Sequence, residues 1–132
     1  MPLATSPGEA YPILAKGPAA QCVVPAAYHG LAGSIAASGN KVSNAIPSDG
    51  YQNFTLGIAS SQAGSVSIQR YLDAAGTIAQ GSPTTGTLVA GTPLVVSVAD
   101  ALIYQSFIIT VTNSSGTTAA NLSNVIIVQQ AT

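Results

Sequence analysis

The sequence is short of charge and of cysteine, and each shortage excludes a class of protein. Only 5% of its residues are charged and the formal net charge is −1, whereas about 25% of residues are charged in an average soluble domain. Without a basic stripe, the chain lacks the electrostatic footprint expected for nucleic acid or an anionic membrane. One cysteine, Cys22, excludes an internal disulfide framework and a Cys/His zinc cluster.

Catalytic motifs are also missing from the sequence. It contains no G-x-S-x-G, no H-E-x-x-H and no glycine-rich phosphate loop before a helix. Cys22 and His29 could form a nucleophile pair, but both lie in a Pro/Ala-rich stretch where rigid positioning is not expected. The four carboxylates lack calcium-loop spacing. The sequence therefore predicts no enzyme, no metal site and no cofactor.

Charged residues are instead expected in structural roles. Asp49, Asp73 and Asp100 each lie in a turn signal, where an aspartate side chain accepts hydrogen bonds from backbone amides. Arg70 occupies an otherwise inward position near a strand end. Its spacing from Asp73 predicts that the two residues fix that strand end or form an ion pair at a contact surface.

The stretch from Ile103 to Gln129 organises the rest of the chain. Residues 103–112 and 125–128 are rich in β-branched side chains, and Asn113 to Gly116 lie between them as a turn signal. We predict two strands joined as a hairpin. Apolar runs this continuous favour strands covered on both faces, so a second layer must pack on the first.

Two regions of different composition divide the chain. Residues 1–45 are rich in Pro, Ala and Gly, with prolines recurring every five to seven positions at first, which predicts an extended arm. Period-2 alternation begins near Tyr51 and continues through short strands separated by turn signals. We therefore predict an all-β fold: an arm over residues 1–45, then an antiparallel, immunoglobulin-like β-sandwich of six or seven strands over residues 46–132.

The arm is more apolar than an ordinary solvated tail. A disordered tail is the simplest interpretation of such a segment in isolation, and an arm that orders against a neighbouring protein is the alternative. We expect its larger apolar side chains to bind a partner. These are Tyr11, Ile13, Leu14, Val23, Val24 and Tyr28.

The residues from Asp100 to Tyr104, followed by a strand that ends at Asn113 and Gly116, resemble the last two strands of immunoglobulin-like and fibronectin type III-like domains. In those domains a tyrosine opens the penultimate strand, and its hydroxyl bonds back to upstream backbone. The resemblance implies that Tyr104 is this tyrosine corner. It covers about a third of the chain, and no cysteine pair or tryptophan accompanies it.

Residues 64–73, the segment 92–96 and the final strands also resemble small β-sandwich proteins of tailed phages, which decorate capsids or build fibres. The resemblance implies an outward-facing structural role, often as a trimer, with the major capsid protein or another virion protein as partner. Residues 1–9 predict no secretory signal, and no run reaches the length of a membrane helix. A chain with few charged residues and no predicted export signal is consistent with a virion protein made in the cytoplasm.

These observations predict a capsid decoration, or cement, protein that docks on the phage head through its N-terminal arm. The alternatives are a host-glycan-binding fibre or adhesin module, a tail or neck component, and an exported pilus or surface-layer subunit. A glycan-binding module predicts a tyrosine-lined groove at loop ends. A cement protein predicts a broad flat interface and an ordered apolar arm.

Overall fold

The computed structural model describes residues 21–100 and 102–131, which form an antiparallel β-sandwich with one short helix. The all-β sandwich expected from the sequence is confirmed. Its elements are β1 (Gln21–Val23), α1 (Ala26–His29), β2 (Gly33–Ile35), β3 (Asn40–Val42), β4 (Ile46–Pro47), β5 (Asn53–Ser60), β6 (Gly64–Tyr71), β7 (Ala79–Leu88), β8 (Leu94–Val98), β9 (Ser106–Asn113) and β10 (Ala120–Gln130). The six or seven predicted strands correspond to β5–β10, and the short strands β1–β4 were missed.

The strands form two five-stranded sheets that pack face to face. Sheet I has the order β1-β10-β5-β8, and β2 also pairs with β10. Sheet II has the order β3-β9-β6-β7, and β4 also pairs with β9. All the paired strands run antiparallel. Among β5–β10, only β6 and β7 are neighbours both along the chain and within a sheet, so the chain repeatedly crosses between layers.

Alternation along β5 places the core between the sheets. Phe54, Leu56 and Ile58 are each 2% exposed or less, whereas the residues between them are partly exposed. From sheet II, Phe107 enters the same layer, and its ring stacks on Phe54 with centroids 3.9 Å apart. Burying an apolar side chain of this size contributes about 1.5–3 kcal/mol, so this layer holds the two sheets together.

A bulge in β10 decides which of its residues face the core. The register against β5 shifts between Ser123 and Ile126, and Asn124 has a φ of 53°, a conformation that asparagine adopts more readily than most residues. Leu122 faces inward before the bulge and Ile127 after it. The bulge therefore turns Ile126 to the outer face of sheet I, where it is 51% exposed.

The predicted hairpin between residues 103–112 and 125–128 is wrong. Both strands exist, as β9 and β10, but β9 lies in sheet II and β10 in sheet I. The last two strands of an immunoglobulin domain share a sheet, so the present chain differs from that arrangement here. Buried Asn113 anchors the crossover, because its amide donates to the carbonyl oxygens of Ile35, Ala36 and Thr118 at 2.8–3.3 Å. The turn signal that begins at Asn113 therefore lies in the connection from sheet II to sheet I and not in a hairpin.

The sandwich begins by Gln21, well before the predicted boundary at residue 46. Strand β1 pairs with the end of β10, β2 with its start, and β3 with β9. Helix α1 follows Pro25 as a single turn and ends at Gly30, whose φ of 70° suits glycine. Residues 21–45 therefore belong to the sheets and their connections, and a predicted arm can only involve residues 1–20, which lie outside the described residues.

The two lateral edges of the sandwich differ. At one edge, here called the closed edge, β7 and β8 contact each other across the layers. A Cβ atom on Gly86 would lie 3.0 Å from Leu94 and 3.1 Å from Val96, so the glycine permits this close approach. At the other edge, here called the open edge, a groove separates β1 and α1 from β4.

Candidate interaction surfaces

The outer face of sheet I, here called the apolar face, carries exposed β-branched side chains. The register places Val95, Gly57 and Ile126 in one row across three strands. Val128 and Val23 are opposite each other in the next row. Val95 is 67% exposed, Val23 61% and Ile126 51%. Exposed apolar residues are normal when scattered singly, whereas several on one sheet face, here interspersed with glycine and hydroxyl residues, make that face a candidate contact surface.

The outer face of sheet II, here called the hydroxyl face, is built differently. Strands β6, β7 and β9 each present two hydroxyl side chains that flank one inward residue. Neighbouring strands lie about 4.8 Å apart, so the six hydroxyls form two short rows. Their side chains are Ser65, Ser67, Thr85, Thr87, Thr110 and Thr112. Strand β3 extends the rows with Asn40 and Val42.

Neither broad face carries a charged residue among the described positions. The charged side chains within residues 21–100 and 102–131 lie inside the sandwich, at a sheet edge or in loops. They are Lys41 in β3, Arg70 in β6, and Asp49, Asp73 and Asp100 in turns and loops. Lys41 is opposite inward-facing Val111, so its position is on the core side of edge strand β3. Charge on a protein surface normally opposes association, and both faces lack it.

Arg70 and Asp100 form an ion pair at the closed edge. Arg70 is 5% exposed, and its two terminal nitrogens donate to the two carboxylate oxygens of Asp100 at 2.5 and 2.8 Å. The hydrogen bonds from Arg70 hold the pKa of Asp100 below its ordinary value. The predicted ion pair between Arg70 and Asp73 is therefore wrong. The pair satisfies a buried cation, so it is a structural contact.

Asp73 organises the turn between β6 and β7. Its carboxylate accepts hydrogen bonds from the backbone amides of Thr77 and Ile78 and from the Thr77 hydroxyl. The Thr77 hydroxyl is the main reason that the pKa of Asp73 falls to about 2. Asp100 likewise accepts from the backbone amide of Leu102 at 3.1 Å. The predicted capping role is confirmed for these two aspartates.

Tyr104 lies in the core, 5% exposed, and its ring contacts Phe54 and Phe107 edge to face. Its hydroxyl donates to the carbonyl oxygen of Tyr51 at 3.4 Å. Burial raises the pKa of Tyr104 to about 12. The bond does reach upstream backbone, as a tyrosine corner would, but it spans 53 residues. Tyr104 therefore ties the entry of β9 to the entry of β5.

The groove at the open edge has a volume of about 390 Å³ and a mainly apolar lining. Val24 and Ile46 are buried and line its base, whereas Pro25, Pro47 and the 44%-exposed Tyr28 are more accessible. Its polar lining residues are Cys22, Gln129 and Asp49. Gln129 is held by a hydrogen bond of 2.9 Å from its amide to the Pro47 carbonyl. Asp49 is thus the charged residue of the groove.

His29 is buried close to the groove but does not form a catalytic pair with Cys22. Its Nδ1 accepts a hydrogen bond of 3.0 Å from the Leu31 amide, and its Nε2 is buried without a partner. The Cys22 thiol contacts the Val23 carbonyl oxygen at 3.9 Å. Burial lowers the pKa of His29 from 6.5, so the neutral ring is favoured. His29 therefore acts as a core residue.

The residues predicted to bind a partner have separate outcomes. Tyr11, Ile13 and Leu14 lie outside the described residues. Val23 is exposed, and Tyr28 is exposed and lines the groove, whereas Val24 belongs to the core. The sequence analysis missed the remaining groove residues and the apolar face. A signal for the face was present, since Val95 and Ile126 occur within apolar runs, but their orientation depends on register and on the β10 bulge.

Comparisons with known proteins add no relative. No protein-family profile matches the chain, and neither the curated proteins nor the solved structures include a significantly similar chain. Within the described residues, no helix has both the length and the hydropathy needed to cross a bilayer. The same residues contain no group of three or more His, Cys, Asp or Glu side chains placed to hold a metal ion.

Proposed function

We propose that this chain is a structural protein of a virus particle, of the capsid decoration or cement type. The observation that carries the proposal is that neither broad face of the described sandwich has a charged residue. Copies packed at high density on a particle repel each other when they carry net charge. A net charge of −1 with neutral faces avoids that repulsion.

The apolar face is the surface that we assign to the particle. Val23, Val95 and Ile126 project from a sheet, which suits a broad and flat contact with capsid subunits. Burial of apolar surface contributes about 25 cal/mol per Å² before the costs of association are subtracted. The hydroxyl face would then point to solvent, where serine and threonine side chains bind water without adding charge.

The partners in this proposal are the major capsid protein and further copies of the chain. A protein that bridges capsid subunits opposes the outward force of the packaged genome, because separation of the subunits must first expose the buried surface. The N-terminal residues Tyr11, Ile13 and Leu14 would add apolar contacts within this layer or to the head. The location in this proposal is the capsid surface of the virion.

A matched pair of lysine substitutions tests the assignment of the face. Val95→Lys places a charge on edge strand β8 of the apolar face, and Thr85→Lys places one on edge strand β7 of the hydroxyl face. Each purified variant is mixed with virions that lack the protein, and bound protein is measured after sedimentation of the particles. We expect Val95→Lys to weaken binding at least about tenfold, since an unpaired buried lysine is costly.

The Thr85→Lys variant should bind like the wild type. Equal binding by both variants and the wild type would contradict the assignment of the apolar face. Absence of binding by the wild type itself would contradict the proposed function. Circular dichroism of each variant shows whether the sandwich is intact.

A second candidate function is a host-glycan-binding fibre or adhesin module, and one cavity favours it. A cavity of about 210 Å³ lies between the loops around Tyr51 and Tyr104, as expected for tyrosines at loop ends. Aromatic rings that stack on sugars must be accessible, however, and Tyr104 is 5% exposed. Binding of the purified protein to an array of host surface glycans, lost on Tyr51→Ala, would favour this candidate over the capsid role.

A further inference from the structure

We infer that the groove at the open edge receives residues 11–16 of a neighbouring copy of this chain. The inference goes beyond the proposed function, because it concerns how copies interlock and not what the assembly covers. Its occupant follows from three observations: the chemistry of the groove, the position of the remaining cation of the chain, and the direction in which β1 runs.

The groove is shaped and lined for a short apolar segment. Its volume of about 390 Å³ falls within the range of about 300–1,000 Å³ that is typical of binding clefts. Val24 and Ile46 form an apolar base, and Tyr28 and Pro47 form walls. Such a lining accepts aliphatic or aromatic side chains.

Residues 11–16 supply matching chemistry. They read Tyr-Pro-Ile-Leu-Ala-Lys, so a cation stands two residues after the apolar group of Tyr11, Ile13 and Leu14. The prolines at positions 12 and 18 restrict the free chain, which lowers the entropy lost when it binds. The sequence of this segment therefore suits an apolar groove.

Charge complementarity identifies the segment further. The chain has three cations, Lys16, Lys41 and Arg70. Arg70 is engaged by Asp100 at the closed edge, and Lys41 lies on edge strand β3. Asp49 is the charged residue in the lining of the groove. Lys16 stands two residues after Leu14, so a segment with Leu14 in the groove can bring Lys16 to Asp49.

The direction of β1 favours a neighbouring copy over the segment of the same chain. Strand β1 runs from Gln21 to Val23, and the lining residues Val24, Pro25 and Tyr28 follow it along the chain. To enter its own groove, the chain would have to reverse within residues 17–20, which span about 14 Å at full extension. Entry of the segment into the groove of a neighbouring copy needs no such reversal.

Each copy donates one segment and accepts another, so two copies can exchange segments reciprocally, or several copies can exchange them head to tail. Head-to-tail contacts close into rings when the rotation between copies permits it. Each copy in a closed ring is held at two interfaces, so the ring is more stable than one contact alone.

A disulfide cross-link through the native thiol tests the inference. Cys22 is the single cysteine of the chain and lines the groove. A full-length, mass-tagged variant with Leu14→Cys and Cys22→Ser is mixed with the untagged wild type and oxidised with diamide, which takes up the two hydrogens released as the disulfide forms. We expect a mixed disulfide between position 14 of one copy and Cys22 of the other.

Controls make either outcome decisive. A variant with Thr5→Cys and Cys22→Ser reports random collision, and a variant with Ile13→Cys and Cys22→Ser covers the adjacent register. If neither position 13 nor position 14 forms more mixed disulfide than position 5, the inference is wrong. A Leu14→Cys chain that keeps Cys22 is oxidised at a concentration at which the wild-type copies are associated. If it forms an intramolecular disulfide in preference to cross-linked copies, the segment occupies its own groove, and the neighbour assignment is overturned.

A double-mutant cycle tests the charge pairing independently. Lys16→Gln and Asp49→Asn each remove one charge, and asparagine tolerates the φ of 50° at position 49. We expect each single variant to weaken self-association about two- to fivefold by sedimentation velocity, as for an exposed ion pair. The double variant should be no weaker than either single variant. Additive losses would refute the pairing. These experiments use no particles, so their failure would leave the proposed function standing.

Discussion

At the closed edge of the sandwich, β7 approaches β8 so closely that a Cβ atom on Gly86 would press on Leu94. The buried cation of Arg70 is matched there by Asp100. At the open edge, the base of a groove is apolar, and buried His29 leaves its Nε2 without a partner. The difference is consistent with our inference that the open edge, unlike the closed edge, contacts a neighbouring copy.

The largest effect is expected from breaking the ion pair at the closed edge. Asp100→Ala leaves the buried guanidinium of Arg70 without its carboxylate. We expect a loss of about 1.5–3 kcal/mol in the free energy of unfolding, towards the lower end because the Asp100 side chain is 51% exposed. Denaturant unfolding at neutral pH measures it.

The control combines Asp100→Ala with Arg70→Met, which replaces the cation by an apolar side chain. The double variant should be less destabilised than the sum of the two single variants, because no unpaired charge remains. A change within about 0.5 kcal/mol for Asp100→Ala alone would show that Arg70 does not depend on this partner.

The next effect comes from separating β7 and β8. Gly86→Val adds side-chain atoms where Leu94 and Val96 are already in contact range, and overpacking of this kind costs about 1–3 kcal/mol. Gly57→Val is the matched control, since a Cβ atom there finds its nearest neighbour at 4.0 Å. We expect Gly57→Val to be neutral or slightly stabilising, because valine favours strands. Thermal unfolding of both variants checks this, and equal losses would contradict a difference in spacing.

Much of the sandwich could be predicted from alternation alone. Phe54, Leu56 and Ile58 face inward as expected, because side chains in a strand alternate and one face is buried. The partners of strands could not be predicted in this way. Asn113 looked like a hairpin turn, but its side chain binds the β2–β3 connection, about 78 residues away in sequence.

The candidate surfaces were less predictable than the fold. Ile126 faces outward only because of the bulge at Asn124, and a bulge leaves no clear signal in the sequence. The groove joins Cys22, Ile46 and Gln129, which come from three distant parts of the chain. Arg70 was correctly placed at an inward position, but its partner lay 30 residues away and not three.

The two edges should also respond to different pH ranges. Burial lowers the pKa of His29 below its ordinary value of 6.5. Below pH 6.5 the unfolded chain therefore binds more protons than the folded chain, and the free energy of unfolding decreases as the pH falls. Asp100 has a pKa below 3.8, so its contribution is present above pH 3.8 and is lost as the pH falls through its folded pKa. The open edge should therefore lose stability first on acidification.

His29→Asn separates the two ranges, because its oxygen can accept the Leu31 hydrogen bond without a titrating ring. We expect the midpoint of denaturant unfolding to change less between pH 7.5 and pH 5.5 in this variant than in the wild type. Asp100→Asn serves as the matched control and should alter the pH dependence only in the more acidic range. If the unfolding midpoint of His29→Asn changes with pH as much as that of the wild type, His29 does not determine the pH dependence of the open edge.

The smallest effect, and the sharpest comparison, comes from two tyrosine hydroxyls. Tyr104 donates to the Tyr51 carbonyl at 3.4 Å, and Tyr28 donates to the Ala45 carbonyl at 3.2 Å. Tyr104 is 5% exposed and Tyr28 is 44% exposed. Tyr104→Phe should cost about 0.5–1 kcal/mol in unfolding free energy, because it leaves a buried bond unmade. Tyr28→Phe should stay within about 0.5 kcal/mol, because water can replace the lost hydroxyl at an exposed site.

Self-association distinguishes the same two positions in the opposite order if the groove receives a neighbouring segment. Tyr28→Asp, which places a charge in the apolar wall of the groove, should weaken association while the fold remains stable. Tyr104→Phe lies in the core and should leave association unchanged. Sedimentation velocity of the full chain measures this. If association is unaffected by Tyr28→Asp, the groove is not the contact site, and the proposed difference between the open and the closed edge is contradicted.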